Sequence, residues 1–282
     1  MKPEDIHSAL ETVLVEAKKA GAIIRNVRQS KELRTEDKSS SESDDSFDPV
    51  TVADKRSNAY LCSRLHELFP SYGLLTEEEI EEEFLPDEEI RNSVKEAIEG
   101  WGNREYAWLI DPLDGTKEFV KETSNYCVLI GLLHNARPIG GVIYVPESDE
   151  VMFGGESCGV YHNGKPFTRS RSASVFIGAE HEGVTLEGYE LRQRPSCLGI
   201  SVLNVIKGDA HAMCYRRGKS SLWDTCAPQA ILEAVGGKIT DCSGEPLKYT
   251  PATIKNINGV IASINSHDEL VAACAAVRQG IE

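Results

Sequence analysis

The sequence predicts a protein of mixed class, α+β in its first part and α/β in its second. Three observations carry that expectation. Ile6, Leu10, Val13, Ala17, Ala20, Ile24 and Val27 recur at alternating steps of four and three, which is one apolar stripe along a long helix. Residues 126 to 167 change to strand-like runs, YCVLIGLL, PIGGVIYV, EVMFGG and GVYH, closed by the hairpin signal Asn163-Gly164. Beyond Phe167, apolar segments alternate with loops and helices.

The remaining elements follow in chain order. KELRTEDKSSSESDDSFDP, residues 31 to 49, is rich in serine and acid and poor in core formers, so it reads as an exposed, mobile loop. TVADKRSNAYLCSRLHELF regains helical spacing, with Ala53, Leu61, Leu65 and Leu68 inward, and stops at Pro70. The short apolar run YGLL leads into TEEEIEEEF, where six glutamates fall within seven residues. Like charges repel, so most of that run is expected to be a solvated face, with one or two exceptions near the apolar run. A second acidic helix is expected near residues 87 to 100, followed by YAWLI as a buried strand that delivers DPLDGT. Late in the chain, Ala227 to Ala234 reads as a helix stopped by Gly236 and Gly237. No internal repeat is visible.

Composition narrows the function. The chain has 282 residues, 40% hydrophobic and 27% charged, which suits an ordinary soluble protein large enough for a sizeable core. No apolar stretch approaches the roughly 20 residues that span a bilayer, and the acid-containing N-terminus lacks a signal peptide's pattern. A cytoplasmic protein with no membrane partner is the expectation. A formal net charge of -15 argues against nucleic acid as a partner, because a polyanion needs a basic face. The eight cysteines include no CxxC pair and read as buried free thiols.

DPLDGT poses the chemical question, because it places Asp111 and Asp114 together at the end of a strand. Pro112 stiffens the turn and Gly115 permits close backbone approach. Two converging carboxylates repel, and a hard divalent cation such as Mg²⁺ would remove the conflict. A capped turn, with Asp111 or Asp114 accepting backbone N–H groups, is the structural alternative. An EF-hand loop is excluded: with Asp111 first and Glu122 twelfth, the intervening ligand positions hold Leu113 and Gly115, and Thr116 stands where glycine is required. Single aspartates such as Asp54 or Asp224, and Thr116, also read as helix caps when taken alone.

Taken together, D-P-V-T-V-A-D ending at Asp54, the glutamates after Thr76, D-P-L-D-G-T and W-D at Asp224 resemble, in order and spacing, the inositol monophosphatase superfamily of Mg²⁺-dependent, lithium-sensitive phosphatases. The likeness spans essentially the whole chain. It implies a layered αβαβα sandwich, with an α+β half over residues 1–150 carrying most metal ligands. An α/β half over residues 151–282 would carry the substrate contacts and Asp224. It implies two to three Mg²⁺ ions: one on Glu77, Asp111 and the carbonyl of Leu113, a second on Asp111, Asp114 and Asp224, and a weaker third near Glu77 and Asp54. Glu78 is the fallback for Glu77. Gly115 and Thr116 would meet the phosphate, and Asp54 paired with Thr116 would take the proton of the attacking water. The family is often dimeric, and a homodimer is left open.

Lys117-Glu118-Phe119, WDTCAP and AVGGKITD resemble the 3'(2'),5'-bisphosphate nucleotidase branch, which removes the 3'-phosphate of 3'-phosphoadenosine 5'-phosphate. Two departures stand out. Gly178-Ala179-Glu180-His181 keeps only the histidine of the branch's usual Ser-Arg-Ser-His stretch, and Leu198-Gly199-Ile200-Ser201 lacks its usual lysine. His181, Ser196 and Ser201 are the candidate substrate contacts, with Arg216, Arg217 or Lys219 as cations that compensate. The alternatives are an inositol monophosphate or inositol polyphosphate 1-phosphatase and, outside enzymes, an acidic metal-binding interaction protein.

Overall fold

The computed structural model describes residues 2–38, 48–169, 175–178, 190–192, 195–215 and 219–279. The apolar stripe at the N-terminus becomes helix α1 (Pro3–Ser30), and all seven stripe residues are buried. Strand β1 (Glu36–Asp37) pairs antiparallel with β2 (Pro49–Val50), so the segment expected to be an exposed loop is clasped where it enters and leaves residues 39–47. Helix α2 (Val52–Leu68) buries Ala53, Leu61 and Leu65. Leu68, expected to face inward, is exposed in the last turn.

Seven strands then build one sheet: β3 (Gly73–Thr76), β4 (Tyr106–Asp114), β5 (Cys127–His134), β6 (Arg137–Val145), β7 (Glu150–Gly155), β8 (Gly159–His162) and β9 (Lys165–Pro166). They lie in chain order, with only β3 and β4 parallel. The acidic helix α3 (Glu88–Glu99) connects that parallel pair, and the short helix α4 (Thr116–Val120) follows β4. The Asn163-Gly164 hairpin forms as expected, with positive φ at both residues.

The second sheet has the order β11 (Glu190–Arg192), β10 (Val175–Gly178), β12 (Ala212–Tyr215), β14 (Val260–Ser263), β13 (Lys238–Thr240). Helix α5 (Leu198–Lys207) precedes β12, α6 (Leu222–Ala234) precedes β13, and α7 (His267–Gln279) closes the described chain. Helix α6 begins five residues before the expected Ala227 and carries Pro228 inside it. A proline there removes one N–H donor, so the carbonyl of Asp224 loses its helical partner.

The layers stack in the order α, β, α, β, α. Helices α1 and α2 pack on one face of the large sheet, through a core that includes Leu10, Ile24, Leu61, Trp108 and Phe119. Helices α5 and α6 fill the space between the two sheets, through Leu129, Ile143, Val205, Met213 and Ile231. Helix α7 covers the outer face of the second sheet. Among the described residues no helix is long and apolar enough to cross a membrane.

The acidic run after β3 is largely solvated as expected, with Glu79, Glu82 and Glu83 exposed and the exceptions next to the apolar run. Glu78 is buried, and Arg34 pairs with Glu83, Lys38 with Glu77 and Glu78, and Lys55 with Glu36 and Glu81. The basic residues of the first loop and of α2 therefore offset part of its charge.

Helix α6 seats closely on the sheet because Gly131 and its register partner offer no side chain, and the closest approach to backbone is at Gly141. A Cβ there would lie 2.5 Å from Ala227 Cα and 2.7 Å from its carbonyl oxygen, both backbone atoms. Overpacking of this kind costs roughly 1–3 kcal/mol. Gly141→Val should therefore lower the calorimetric melting temperature by several degrees, and it should weaken any activity that depends on Asp224 further than the stability loss explains. An unchanged melting temperature would show that α6 has room to move.

Candidate active site

The site forms at one end of the large sheet, where the chain leaves β3 and β4. Because these strands are parallel, with Thr76 opposite Ile110, the next residues Glu77 and Asp111 emerge side by side, and Glu77 N donates to Ile110 O at 3.3 Å. Strand β4 continues past Asp111 with a register break. Asp111 faces Leu129 and Asp114 faces Cys127, so three steps on β4 match two on β5. In a regular strand residues three apart point to opposite faces; the extra residue of a bulge brings them to one side. Asp111, Asp114 and Asp224 consequently have carboxylate oxygens within 4.8 Å of one another, with Asp224 arriving from the first turn of α6.

Each aspartate is fixed by backbone donors. Asp111 Oδ1 accepts from Leu113 N at 3.0 Å. Asp114 accepts from Leu198 N at 3.2 Å and Gly199 N at 2.5 Å, the first amides of α5. Asp224 Oδ2 accepts from Ser221 N at 2.5 Å in a capping box. Asp54 stands in the same motif at the start of α2: its Oδ2 takes Thr51 N at 2.8 Å and Thr51 Oγ1 at 2.6 Å. The other oxygen of Asp54 accepts from Thr116 Oγ1 at 2.8 Å, and Leu113 O lies 3.1 Å from the same hydroxyl. Gly115 makes this turn possible, since its φ of 93° is left-handed and a Cβ would lie 2.8 Å from both Asn125 O and Cys197 Cβ.

Crowding of like charge shifts these groups. Burial first, then the charges of Glu77, Asp114 and Asp224, hold Asp111 well above the usual carboxylate range. Burial, reinforced by Asp114 and Glu77, pushes Asp224 up to about 7. Burial pushes Asp54 up to about 6, against the hydrogen bonds from Thr51 and Thr116. Glu78 rises to about 7 through burial and the neighbouring Glu77.

Glu77 and Glu78 differ in outlook. The Glu77 charge acts on Asp54, Asp111 and Asp224, and the Asp54 charge acts on Glu78. Glu78 is buried, and its carbonyl accepts from Asn58 Nδ2 at 2.8 Å. Both share one cation: Lys38 Nζ lies 2.9 Å from Glu77 Oε1 and 2.7 Å from Glu78 Oε1. Burial alone would lower the Lys38 ammonium, but the two glutamates outweigh it and raise it.

The structure thus brings together Asp54, Glu77, Asp111, Leu113, Asp114, Gly115, Thr116 and Asp224. Of the candidate substrate residues, Ser196 and Ser201 are among the described ones. Ser201 is fully buried within α5 and its hydroxyl donates to Cys197 O at 2.9 Å. Ser196 is exposed, with its backbone N–H on Glu118 Oε1 at 3.1 Å. His181, Arg216 and Arg217 lie outside the described residues, and Lys219 is exposed. Sequence reasoning missed Thr51, Ser221, Lys38 and the start of α5. The pattern Thr51-x-x-Asp54, repeated as Ser221-x-x-Asp224, is a capping-box signal that could have identified the first two.

Three hard carboxylates held this close are a donor set suited to a hard divalent cation. The comparisons agree with that chemistry. The model of the inositol monophosphatase family matches residues 6–281. The 3'(2'),5'-bisphosphate nucleotidase CysQ of Escherichia coli K12 is 33% identical over 215 residues, covering 72% of this chain and 80% of that protein. Human 3'(2'),5'-bisphosphate nucleotidase 1 is 29% identical over 284 residues, covering 89% of each chain. Among solved structures, inositol monophosphatase from Anabaena superposes with a TM-score of 0.70 at 25% identity, covering 96% of this chain and 97% of its own. The chain belongs to the inositol monophosphatase family of phosphatases, near its bisphosphate nucleotidase branch.

Proposed function

We propose that the protein is a Mg²⁺-dependent phosphomonoesterase acting as a 3'(2'),5'-bisphosphate nucleotidase, converting 3'-phosphoadenosine 5'-phosphate to AMP and phosphate. The observation that carries the reading is the convergence of Asp111, Asp114 and Asp224 beside the Asp54–Thr116 pair. The nucleotidase relatives, at about a third identity, favour this substrate. Two to three ions are assigned to the residues that the family likeness implies: Glu77, Asp111 and the Leu113 carbonyl for one, Asp111, Asp114 and Asp224 for another, and the vicinity of Glu77 and Asp54 for the weakest. Bound there, Mg²⁺ supplies charge neutralisation for the phosphoryl oxygens and acidifies a water.

The chain's own residues do the rest. Thr116 accepts the proton of the attacking water and passes its own to Asp54, whose carboxylate accepts from the Thr116 hydroxyl at 2.8 Å. Thr51 holds Asp54 in place from the opposite side. Gly115 and Thr116 offer donors to the scissile phosphate. In this reading residues 1–150 carry most of the metal ligands, and residues 151–282 supply Asp224 and hold the leaving nucleotide, with His181, Ser196 and Ser201 as the candidate contacts. An inositol phosphate phosphatase is the second reading, favoured by the inositol monophosphatase from Anabaena and by the departures at residues 178–181 and 198–201.

The test is phosphate release from 3'-phosphoadenosine 5'-phosphate, inositol 1-phosphate and inositol 1,4-bisphosphate, with Mg²⁺ and with chelator. The nucleotide should be turned over fastest, only with Mg²⁺, and Asp114→Asn should reduce turnover at least 100-fold while the fold persists. Preference for an inositol ester overturns the substrate; near wild-type activity of Asp114→Asn at saturating Mg²⁺ overturns the ligand assignment.

Metal-free stability should depend on pH in a direction that the buried carboxyls fix. Asp54 and Asp224 rise from 3.8 to about 6 and about 7, and Glu78 from 4.5 to about 7, so between about pH 4 and pH 7 the folded state binds more protons than the unfolded. Stability therefore falls as pH rises through that window. In chelator the melting temperature should be lower at pH 8 than at pH 6, and Mg²⁺ should raise it more at pH 8. A chelated protein that melts higher at pH 8 would contradict this.

Lys38 should compete with the metal for Glu77. Lys38→Met is expected to tighten Mg²⁺ binding severalfold by isothermal titration, equivalent to about 1 kcal/mol, and to lower the melting temperature in chelator. Weaker Mg²⁺ binding would mean that Lys38 supports the loaded site.

A further inference from the structure

Asp114 stands between two different ligand sets. One is the carboxylate cluster with Asp111 and Asp224; the other is a pair of thiols that the phosphatase reading does not use. Cys127 Sγ lies 3.8 Å and Cys197 Sγ 3.1 Å from Asp114 Oδ2, and the sulfurs are 3.6 Å apart. Both cysteines are fully buried and Asp114 is nearly so. The three residues come from separate elements. Cys127 opens β5 directly opposite Asp114, whereas Cys197 is the N-cap of α5, where its sulfur accepts from Ile200 N at 3.4 Å.

These distances have the shape of a coordination polyhedron. A tetrahedral ion with metal–sulfur bonds of about 2.3 Å and a metal–oxygen bond of about 2.1 Å needs sulfurs about 3.8 Å apart and sulfur–oxygen edges of about 3.6 Å. The observed edges of 3.6, 3.8 and 3.1 Å require only the Cys197–Asp114 edge to open, by about half an ångström. We propose that Cys127, Cys197 and Asp114 form a second cation site, for a thiophilic divalent ion of the zinc and cadmium class, that shares Asp114 with the carboxylate cluster.

Ligand softness separates the two sites. Thiolates select zinc and its heavier congener, whereas Mg²⁺ keeps to oxygen. On binding, two S–H bonds break, their protons leave to solvent, two metal–sulfur bonds form, and nothing is oxidised or reduced. Three protein ligands leave one tetrahedral position for water. The ion would draw Asp114 Oδ2 away from Gly199 N, which now lies at 2.5 Å, and would take negative charge from the aspartate cluster. Thiophilic ions should therefore inhibit the enzyme, and because the two sites share Asp114 each ion should weaken the binding of the other. The inhibition rests on the phosphatase reading; the binding rests on the thiol geometry alone.

The experiment is titration of the full chain with Cd²⁺ under a non-thiol reductant, followed by thiolate-to-cadmium charge-transfer absorption in the ultraviolet. One equivalent should saturate the band. Cys127→Ala should bind at least tenfold more weakly and lose the band, while Cys62→Ala, which changes a buried thiol in the α2 core, should retain it. Cys127→Ser repeats the test if the alanine variant does not fold by circular dichroism. No stoichiometric band in the folded wild type, or a band that survives in folded Cys127→Ala, overturns the proposal. If the band behaves as expected but the wild type hydrolyses none of the phosphate esters, the site stands and the phosphatase reading falls.

Discussion

The concentration of buried negative charge at the end of β3 and β4 is the constraint from which the rest of the structure follows. Two like charges about 4 Å apart repel by roughly 4 kcal/mol at an effective dielectric constant of 20. Asp54, Asp111, Asp114, Glu77, Glu78 and Asp224 all raise one another or are raised. Such a cluster forms only where the surrounding fold leaves those side chains no alternative positions. The parallel pairing of β3 and β4, the register break after Asp111 and the close seat of α6 on Gly141 supply that compulsion.

The fold also softens the repulsion without a bound cation, and it does so in a repeated way. Three aspartates each face the start of a helix: Asp54 at α2, Asp224 at α6 and Asp114 at α5. Helix N-termini carry unsatisfied N–H groups and about half a positive charge, so each offers partial neutralisation from backbone alone. The two glutamates instead receive a side-chain ammonium from Lys38. Lys38, next to strand β1, thus takes part in the electrostatics of the site.

Much of this was legible from sequence, and the boundary between the legible and the hidden is physical. The stripe of α1, the Asn163-Gly164 hairpin and the helix near residues 87 to 100 are local patterns, and the structure contains them. Asp111 and Asp114 left a local trace in the tight spacing of DPLDGT, whereas Asp54, Glu77, Leu113 and Asp224 were named as ligands through the family resemblance. What stayed hidden depends on pairings distant in sequence. Lys38 meets Glu77 across 39 residues, and Gly199 meets Asp114 across 85. Leu68 was misplaced because helical spacing fixes direction but not how far the covering layer extends. Ser201 was read as a substrate contact from its position in a motif, whereas the helix turns its hydroxyl back onto Cys197 O.

Asp114 shows why those distant pairings matter to function. It leaves the large sheet on β4, yet its carboxylate is held by the first amides of α5, which belongs to the layer between the sheets. A displacement of α5 would therefore be felt at Asp114 before it is felt at Asp111, whose own bond is to Leu113 N within the same turn. Asp54 and Asp224 are likewise held by their own helices. Asp114 takes its backbone donors from an element remote in sequence, as Asp54 takes the Thr116 hydroxyl, and it is also the aspartate that touches the two thiols. Whatever alters the packing of Cys197 at the start of α5 acts on the carboxylate cluster through this single side chain.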